Sequence, residues 1–159
     1  MKTGYEVELQ FYKSEYFDLM KDYHLPEDQA RFTALPADAL EVTHEKQPVV
    51  IISNGIVVGF FVLHTSSRVK EYTDNPHAVL LTAFSVNHSH QGKGYAGRGL
   101  EQLTAFARKE FPECNEIVLS VNKLNIPAQK VYEKVGYRDT GRRRSGTMGE
   151  QFIYSFLLE

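Results

Sequence analysis

Ser85-Val86-Asn87-His88-Ser89-His90-Gln91-Gly92-Lys93-Gly94-Tyr95-Ala96-Gly97 joins an apolar run, Ala78 to Val86, to an amphipathic run, Ala96 to Phe111. The first reads as a buried strand over Leu80 to Val86. In the second, Ala96, Leu100, Leu103, Ala107 and Phe111 recur near the spacing of one helical face, and Pro112 helps to end it. A strand that ends in a glycine turn and feeds a helix leaves backbone N–H groups unpaired at the positive end of the helix dipole. Such a turn is an anion site, and phosphate is its usual anion.

Working outward, the upstream chain is rich in strand signals. Tyr5 to Phe11 alternates apolar and polar residues, the period of a half-buried strand. Ser14 can cap a helix reaching Tyr23, with Tyr16, Phe17 and Met20 as its apolar side. Leu25 to Ala34 is ambiguous, and Pro36 stands near the start of a short helix reaching His44. Val49 to Ile52 and Ile56 to Leu63 flank Asn54-Gly55, a pair that tolerates positive φ and so predicts a tight hairpin. His64 to Pro76 is polar and reads as a loop.

Downstream, Glu116 to Val121 is apolar on both faces and predicts a central strand. Pro127 suits the first turn of a helix with Ala128, Val131, Tyr132 and Val135 as its stripe, closed by Gly136. Tyr137 to Arg142 and Gln151 to Leu158 predict a final hairpin around Ser145 to Gly149. No repeat, low-complexity tract or linker divides the 159 residues, so the chain is expected to be one α+β domain over residues 1–159.

Composition narrows the classes. Hydrophobic residues are 42% and charged residues 24%, ordinary for a globular protein, and no apolar stretch has membrane-spanning length. A net charge of −2 argues against broad binding to nucleic acid. The N-terminal stretch lacks a signal peptide's apolar core, and Cys114 is the only cysteine, so a cytoplasmic setting is the default expectation.

Gly92-Lys93-Gly94-Tyr95-Ala96-Gly97 fits G-x-G-x-x-G literally, and Glu116 falls about twenty residues on, where a ribose-binding acid would belong. Five residues separate Val86 from Gly92, however, and a hairpin rather than a βαβ start precedes the turn. A triphosphate P-loop fits less well, since Gly94 rather than Ser or Thr follows Lys93. A turn needed only for a sharp bend does not explain Gln91 and Lys93.

Gln91-Gly92-Lys93-Gly94-Tyr95-Ala96 resembles the Q/R-x-x-G-x-G/A pyrophosphate loop of the GNAT superfamily of N-acetyltransferases. The segment Asn122 to Tyr137, with Asn125, Ala128, Tyr132 and Gly136, looks like the family's second signature, N-x-x-A-x-x-x-Y-x-x-x-G-F/Y. Together the two cover about residues 48 to 158. The resemblance implies an acyl-CoA N-acyltransferase fold, a mixed central sheet with helices on both faces. It also implies acetyl-CoA as co-substrate, with no metal. Gly92 and Gly94 would admit its diphosphate, and Gln91, Lys93, Tyr95, Ala96 and Gly97 complete the loop. Phe84, Ser85 and Val86 would line a gap between two splayed parallel strands, where the pantetheine arm pairs as another strand. Asn125 would hydrogen-bond that arm, or else serve only as a turn residue before Pro127. Tyr132 would protonate the departing thiolate as general acid, while N–H groups near Val86 stabilise the oxyanion.

Other positions are less informative. The strand before the glycine turn holds no acid, so no general base is named; Glu71, Asp74 and His77 lie upstream in the polar loop. His88-Ser89-His90 is too sparse for a metal site. Cys114 has no evident base partner, and Arg142-Arg143-Arg144 suits a solvated hairpin edge. The acceptor is expected to be a small-molecule amine, with a protein N-terminus, an antibiotic amine or an amino acid as alternatives. Leu25 to Phe32 and Gly136 to Gly141 loosely resemble bacterial polyamine acetyltransferases, and Glu27, Asp28, Glu41 and Glu45 could attract a polyamine. A non-catalytic acyl-CoA sensor of the same fold is the alternative. A homodimer is implied by analogy alone.

Overall fold

Runs rich in β-branched and aromatic residues supply the strands, and among the described residues seven of them pair into one sheet. The computed structural model describes residues 6–158; Tyr5, the first residue of the expected first strand, lies outside them. In chain order come β1 (Glu8–Phe11), a 3-10 helix (Ser14–Met20), α1 (Glu27–Ala30), α2 (Pro36–Ala39), β2 (Lys46–Ser53) and β3 (Ile56–His64). A second 3-10 helix (Ser67–Glu71), β4 (Ala78–Val86) and a 3-10 turn (His88–His90) lead to α3 (Tyr95–Glu110). The chain closes with β5 (Glu116–Asn122), α4 (Ile126–Val135), β6 (Arg138–Gly146) and β7 (Gly149–Leu157).

The sheet order is β1-β2-β3-β4-β5-β7-β6. Only β4 and β5 run parallel; the other neighbours are antiparallel. On one face α3 and α4 cover Val49, Ile51, Phe61, Leu63, Ile117 and Leu119, with Leu100 and Leu103 of α3 fully buried among them. On the other face Met20, Tyr23 and Ala39 pack on Val50, Ile52, Phe60 and Val62. The α+β fold with a mixed central sheet and helices on both faces is the one expected.

Asn54 (φ 53°) and Gly55 (φ 75°) make the predicted tight hairpin turn. Three expectations need correction. Ser14 does not cap the first helix: Lys13 precedes it, no side chain caps it, and the segment is 3-10 rather than α. Met20 is buried there, and Tyr16 is partly buried beside it. Pro36 does open a helix, but it stops at Ala39 instead of reaching His44. The polar segment after β3 contains a 3-10 helix capped by Ser66, and His64 belongs to β3.

Candidate active site

The parallel strands β4 and β5 pair only at Ala78–Glu116, Val79–Ile117 and Leu80–Val118. Beyond Leu80 they part, β4 staying with β3 and β5 with β7 as far as Asn122–Gln151. The cause is a bulge in β4. Val62 pairs with Thr82 and Phe60 with Ser85, so Ala83 and Phe84 together oppose Phe61. Ala83 takes φ 56°, a left-handed conformation uncommon for a residue with a Cβ. A bulge of this kind bends its strand and leaves ladder groups unpaired. It also slips the alternation of faces: Leu81 and Phe84 pack on the α3–α4 side, whereas Ala83 packs on the other. A cavity of about 730 Å³ fills the parting. Thr82 to Val86 line it from β4, Ser120 to Asn122 from β5, and Asn125, Ala128, Val131 and Tyr132 from α4.

At the mouth of the parting lies the glycine turn, in a second cleft of about 530 Å³ between α3 and α4. Gly92 and Gly94 both have φ 82°, and Gly94 is the N-cap of α3. The first helical bond is Arg98 N–H to the Gly94 carbonyl at 3.1 Å, which leaves the preceding N–H groups of the turn without helical acceptors. A Cβ at Gly94 would meet only Arg98 Nε, at 3.9 Å, so the backbone conformation rather than crowding by the protein requires glycine here. Gly94→Ala is expected to cost about 1 kcal/mol of stability, read from urea unfolding.

The remaining expected site residues divide by how their polar groups are used. The Gln91 side chain is committed: its Nε2 donates to the Val86 carbonyl (2.9 Å) and to Gln29 Oε1 (2.8 Å), tying β4 to α1. Its backbone N–H donates to His88. Gln91 therefore shapes the turn and holds α1 against it. The Ser85 hydroxyl is paired with Tyr23 at 2.7 Å, and the Tyr95 ring is buried in the core. Lys93 is exposed, and Ala96 and Gly97 open α3 along the second cleft. Asn125 is the N-cap of α4, its Oδ1 accepting from Ala128 N–H at 3.4 Å. The turn role thus exists, and Asn125 also lines the main cavity. Tyr132 is 9% exposed, ringed by Phe84, Tyr137 and Tyr154 with centroids 5.8 to 6.5 Å away. Its hydroxyl makes no hydrogen bond to the described residues, and burial pushes its pKa well above the usual tyrosine value.

Sequence reasoning missed the opposite end of the cavity. His64 was read as the start of a loop, yet it is 3% exposed at the end of β3, in phase with Phe60 and Val62. Its Nε2 lies 2.7 Å from Thr82 Oγ1 on β4. Burial first, then the charges of Arg68 and Lys46, lower its pKa to about 4. A polar residue at the core phase of an apolar strand was the available signal. Because the folded value lies below the unfolded one of about 6.5, the unfolded chain binds the extra proton between them. Stability is therefore lost as pH falls from about 6.5 to 4, by about 2 kcal/mol from this group. His64→Gln should remove that part of the pH dependence, measured as the difference in unfolding free energy between wild type and variant at pH values across this range.

Several sequence features lie elsewhere. Glu116, at the start of β5, accepts from Asn75 Nδ2 (3.1 Å) at the end of the sheet remote from the glycine turn, so it is no ribose ligand. Glu71 pairs with Arg144 (3.3 Å), and neither it nor exposed Asp74 and His77 lines the cavity. Of the acids considered for a polyamine, Asp28 lines the cavity and Glu27, Glu41 and Glu45 do not. Arg144 is not a solvated edge residue: it stacks on Tyr72 (4.6 Å) and lines the cavity, unlike Arg142 and Arg143. No group of three or more His, Cys, Asp or Glu suited to a metal occurs among the described residues, and the His88 ring packs against His24. Burial raises the Cys114 thiol pKa. No helix among the described residues is long and apolar enough to cross a membrane.

Comparison with known proteins then gives three kinds of match. A family model described as "Acetyltransferase (GNAT) family" matches residues 9–137. Among curated proteins, an uncharacterized N-acetyltransferase of Bacillus subtilis (strain 168), YbbJ, is 42% identical over 157 residues, covering 96% of this chain and 98% of its own. A spermine/spermidine N(1)-acetyltransferase of the same organism is 27% identical over 123 residues, covering 76% and 80%. Among solved structures, aminoglycoside acetyltransferase AAC(6')-Ib in complex with coenzyme A aligns at a TM-score of 0.76 with 15% identity, over 96% of this chain and 95% of that one.

Proposed function

Since the chain belongs to the GNAT family of acetyltransferases, we propose that it transfers the acetyl group of acetyl-CoA to the primary amine of a small molecule by direct attack, with Tyr132 as general acid. The observation that carries this reading is the parting of β4 from β5 beyond Leu80, with the glycine turn at its mouth and the unpartnered Tyr132 hydroxyl in its wall. The residues present fit the co-substrate. The open N–H groups from Gly92 to Gly97 suit a diphosphate. The unpaired side of β4 at Thr82 to Val86 suits the amide-bearing pantetheine arm, and the Asn125 side chain stands beside that path.

Acetyl-CoA supplies an activated thioester. The chain's residues do the rest. N–H groups near Val86 receive the charge that develops on the carbonyl oxygen. Tyr132 would give its proton to the sulfur as the carbon–sulfur bond breaks, the proton shed by the attacking amine returning through solvent to restore the phenol, and Phe84 and Phe61, stacked at 5.6 Å, flank that position. An enzyme is favoured over a non-catalytic acyl-CoA sensor by the Tyr132 hydroxyl, since a sensor needs no buried proton donor there.

Calorimetric titration with acetyl-CoA and an amine panel scored by coenzyme A release test the proposal. Saturable binding and amine-dependent release are expected, and Gly92→Ala/Gly94→Ala should weaken binding by about tenfold. Binding without turnover of any amine would favour the sensor.

A further inference from the structure

The acceptor end of the cavity is electrically lopsided. At the sheet side, Lys46 opens β2 beside His64, Arg68 stands in the 3-10 helix after β3, and Arg144 projects from β6. Arg144 is partly neutralised by Glu71 at 3.3 Å and held in place by Tyr72 and by Gln151 Oε1 at 2.9 Å. Lys46 and Arg68 have no ion-pair partner among the described residues. Asp28 of α1 and Asp38 of α2 also line the cavity, with Arg31 at the C-terminal end of α1 between them in the chain. Three cations thus share one carboxylate at the sheet side, while two carboxylates share one cation at the helix side.

His64 lies within reach of two of these charges, and burial before them lowers its pKa. It is buried between these groups, and the positive charges of Arg68 and Lys46 oppose its protonation. A second ammonium placed there would meet the same repulsion, which disfavours a polyamine extending toward β2 and β3. An anion placed there would give the half-buried Lys46 and the exposed Arg68 an ion-pair partner at the edge of the cavity.

We propose that the acceptor is an amine that also carries an anionic group, a carboxylate or phosphate, seated against Lys46, Arg68 and Arg144, with its amino end between the acids of α1 and α2 and the β4 bulge. The proposal rests on the acetyltransferase reading above and adds the acceptor's class to it. Amines of matched length separate the charges: ω-amino acids of increasing chain length and aminoalkyl phosphates against the corresponding alkylamines and diamines.

The test measures kcat/KM for each acceptor at saturating acetyl-CoA, with acetyl-CoA binding measured separately by calorimetry. The best ω-amino acid or aminoalkyl phosphate should exceed its matched diamine by about tenfold or more, and which of the two leads identifies the anion. Arg68→Gln, and separately Lys46→Gln, should raise KM for that acceptor by about tenfold and narrow its lead over the alkylamine. Diamines equalling or exceeding the anionic amines would overturn the proposal, as would a lead unaltered in both variants. Absence of turnover with every amine while acetyl-CoA binds would overturn it too. Failure of acetyl-CoA to bind would instead overturn the acetyltransferase reading itself.

Discussion

Tyr132→Phe is expected to lower kcat for acetyl transfer by about 100-fold or more while changing acetyl-CoA affinity by less than about twofold. The two readouts separate because ring and hydroxyl do different work. The ring is part of the core, in contact with Phe84, Tyr137 and Tyr154, and phenylalanine preserves all of those contacts. The hydroxyl has no hydrogen bond to any described residue, so removing it leaves no orphaned partner and should not cost stability. What is lost is a proton source on the cavity wall. Burial raises the pKa of the hydroxyl above the usual tyrosine value, so it carries its proton near neutral pH. Turnover by Tyr132→Phe equal to wild type, with an acceptor the wild type uses well, would remove Tyr132 from the mechanism.

Gly59→Ala is expected to destabilise the fold by about 3 kcal/mol and to weaken acetyl-CoA binding by more than about tenfold. Gly59 lies on β3 opposite Val86, and a Cβ there would sit 2.6 Å from the Ser85 carbonyl oxygen and 3.1 Å from Ile51 Cδ1. The Ile51 side chain can shift. The carbonyl cannot, because Ser85 closes the β4 bulge and its hydroxyl is fixed to Tyr23. The close approach of the two backbones is therefore what holds the bulge in register. Urea unfolding gives the stability term and calorimetry the affinity term. A variant with unchanged affinity would show that the bulge is held by other contacts.

The sequence made the frame of this site legible and left its acceptor end dark. Glycines at 92, 94 and 136, Pro127 and the Asn54-Gly55 pair act locally, through φ angles that their neighbours cannot alter, so the turns and helix ends they mark are where expected. Tyr132 was visible because it falls in a fixed phrase of the chain. The β4 bulge was not, since Ala78 to Val86 contains no glycine or proline and Ala83 adopts its positive φ only because Phe60, Phe61 and Val62 dictate the pairing. His64 was misread for a similar reason: polarity suggested a loop, whereas its place is set by pairing with Lys46 and Leu80 on two neighbouring strands. Arg144 was read with its two arginine neighbours as surface, and only the alternation of β6 turns it inward while Arg143 pairs with Asp139. The wall formed by Lys46, Arg68 and Arg144 joins residues almost a hundred positions apart in the chain, a grouping with no local signal.

The single surplus residue in β4 also acts as a wedge. Without it, β4 would be a regular strand, and neither Thr82 to Val86 nor Leu119 to Val121 holds a glycine or proline that would stop the two strands from zipping together past Leu80. Deleting Ala83 should therefore seal the seam, adding cross-strand hydrogen bonds and giving a chain that melts higher and holds no acyl donor. The protein is, in this sense, a sheet kept unfinished by one residue, and the cleft proposed for its chemistry is the part of the sheet that stays unzipped.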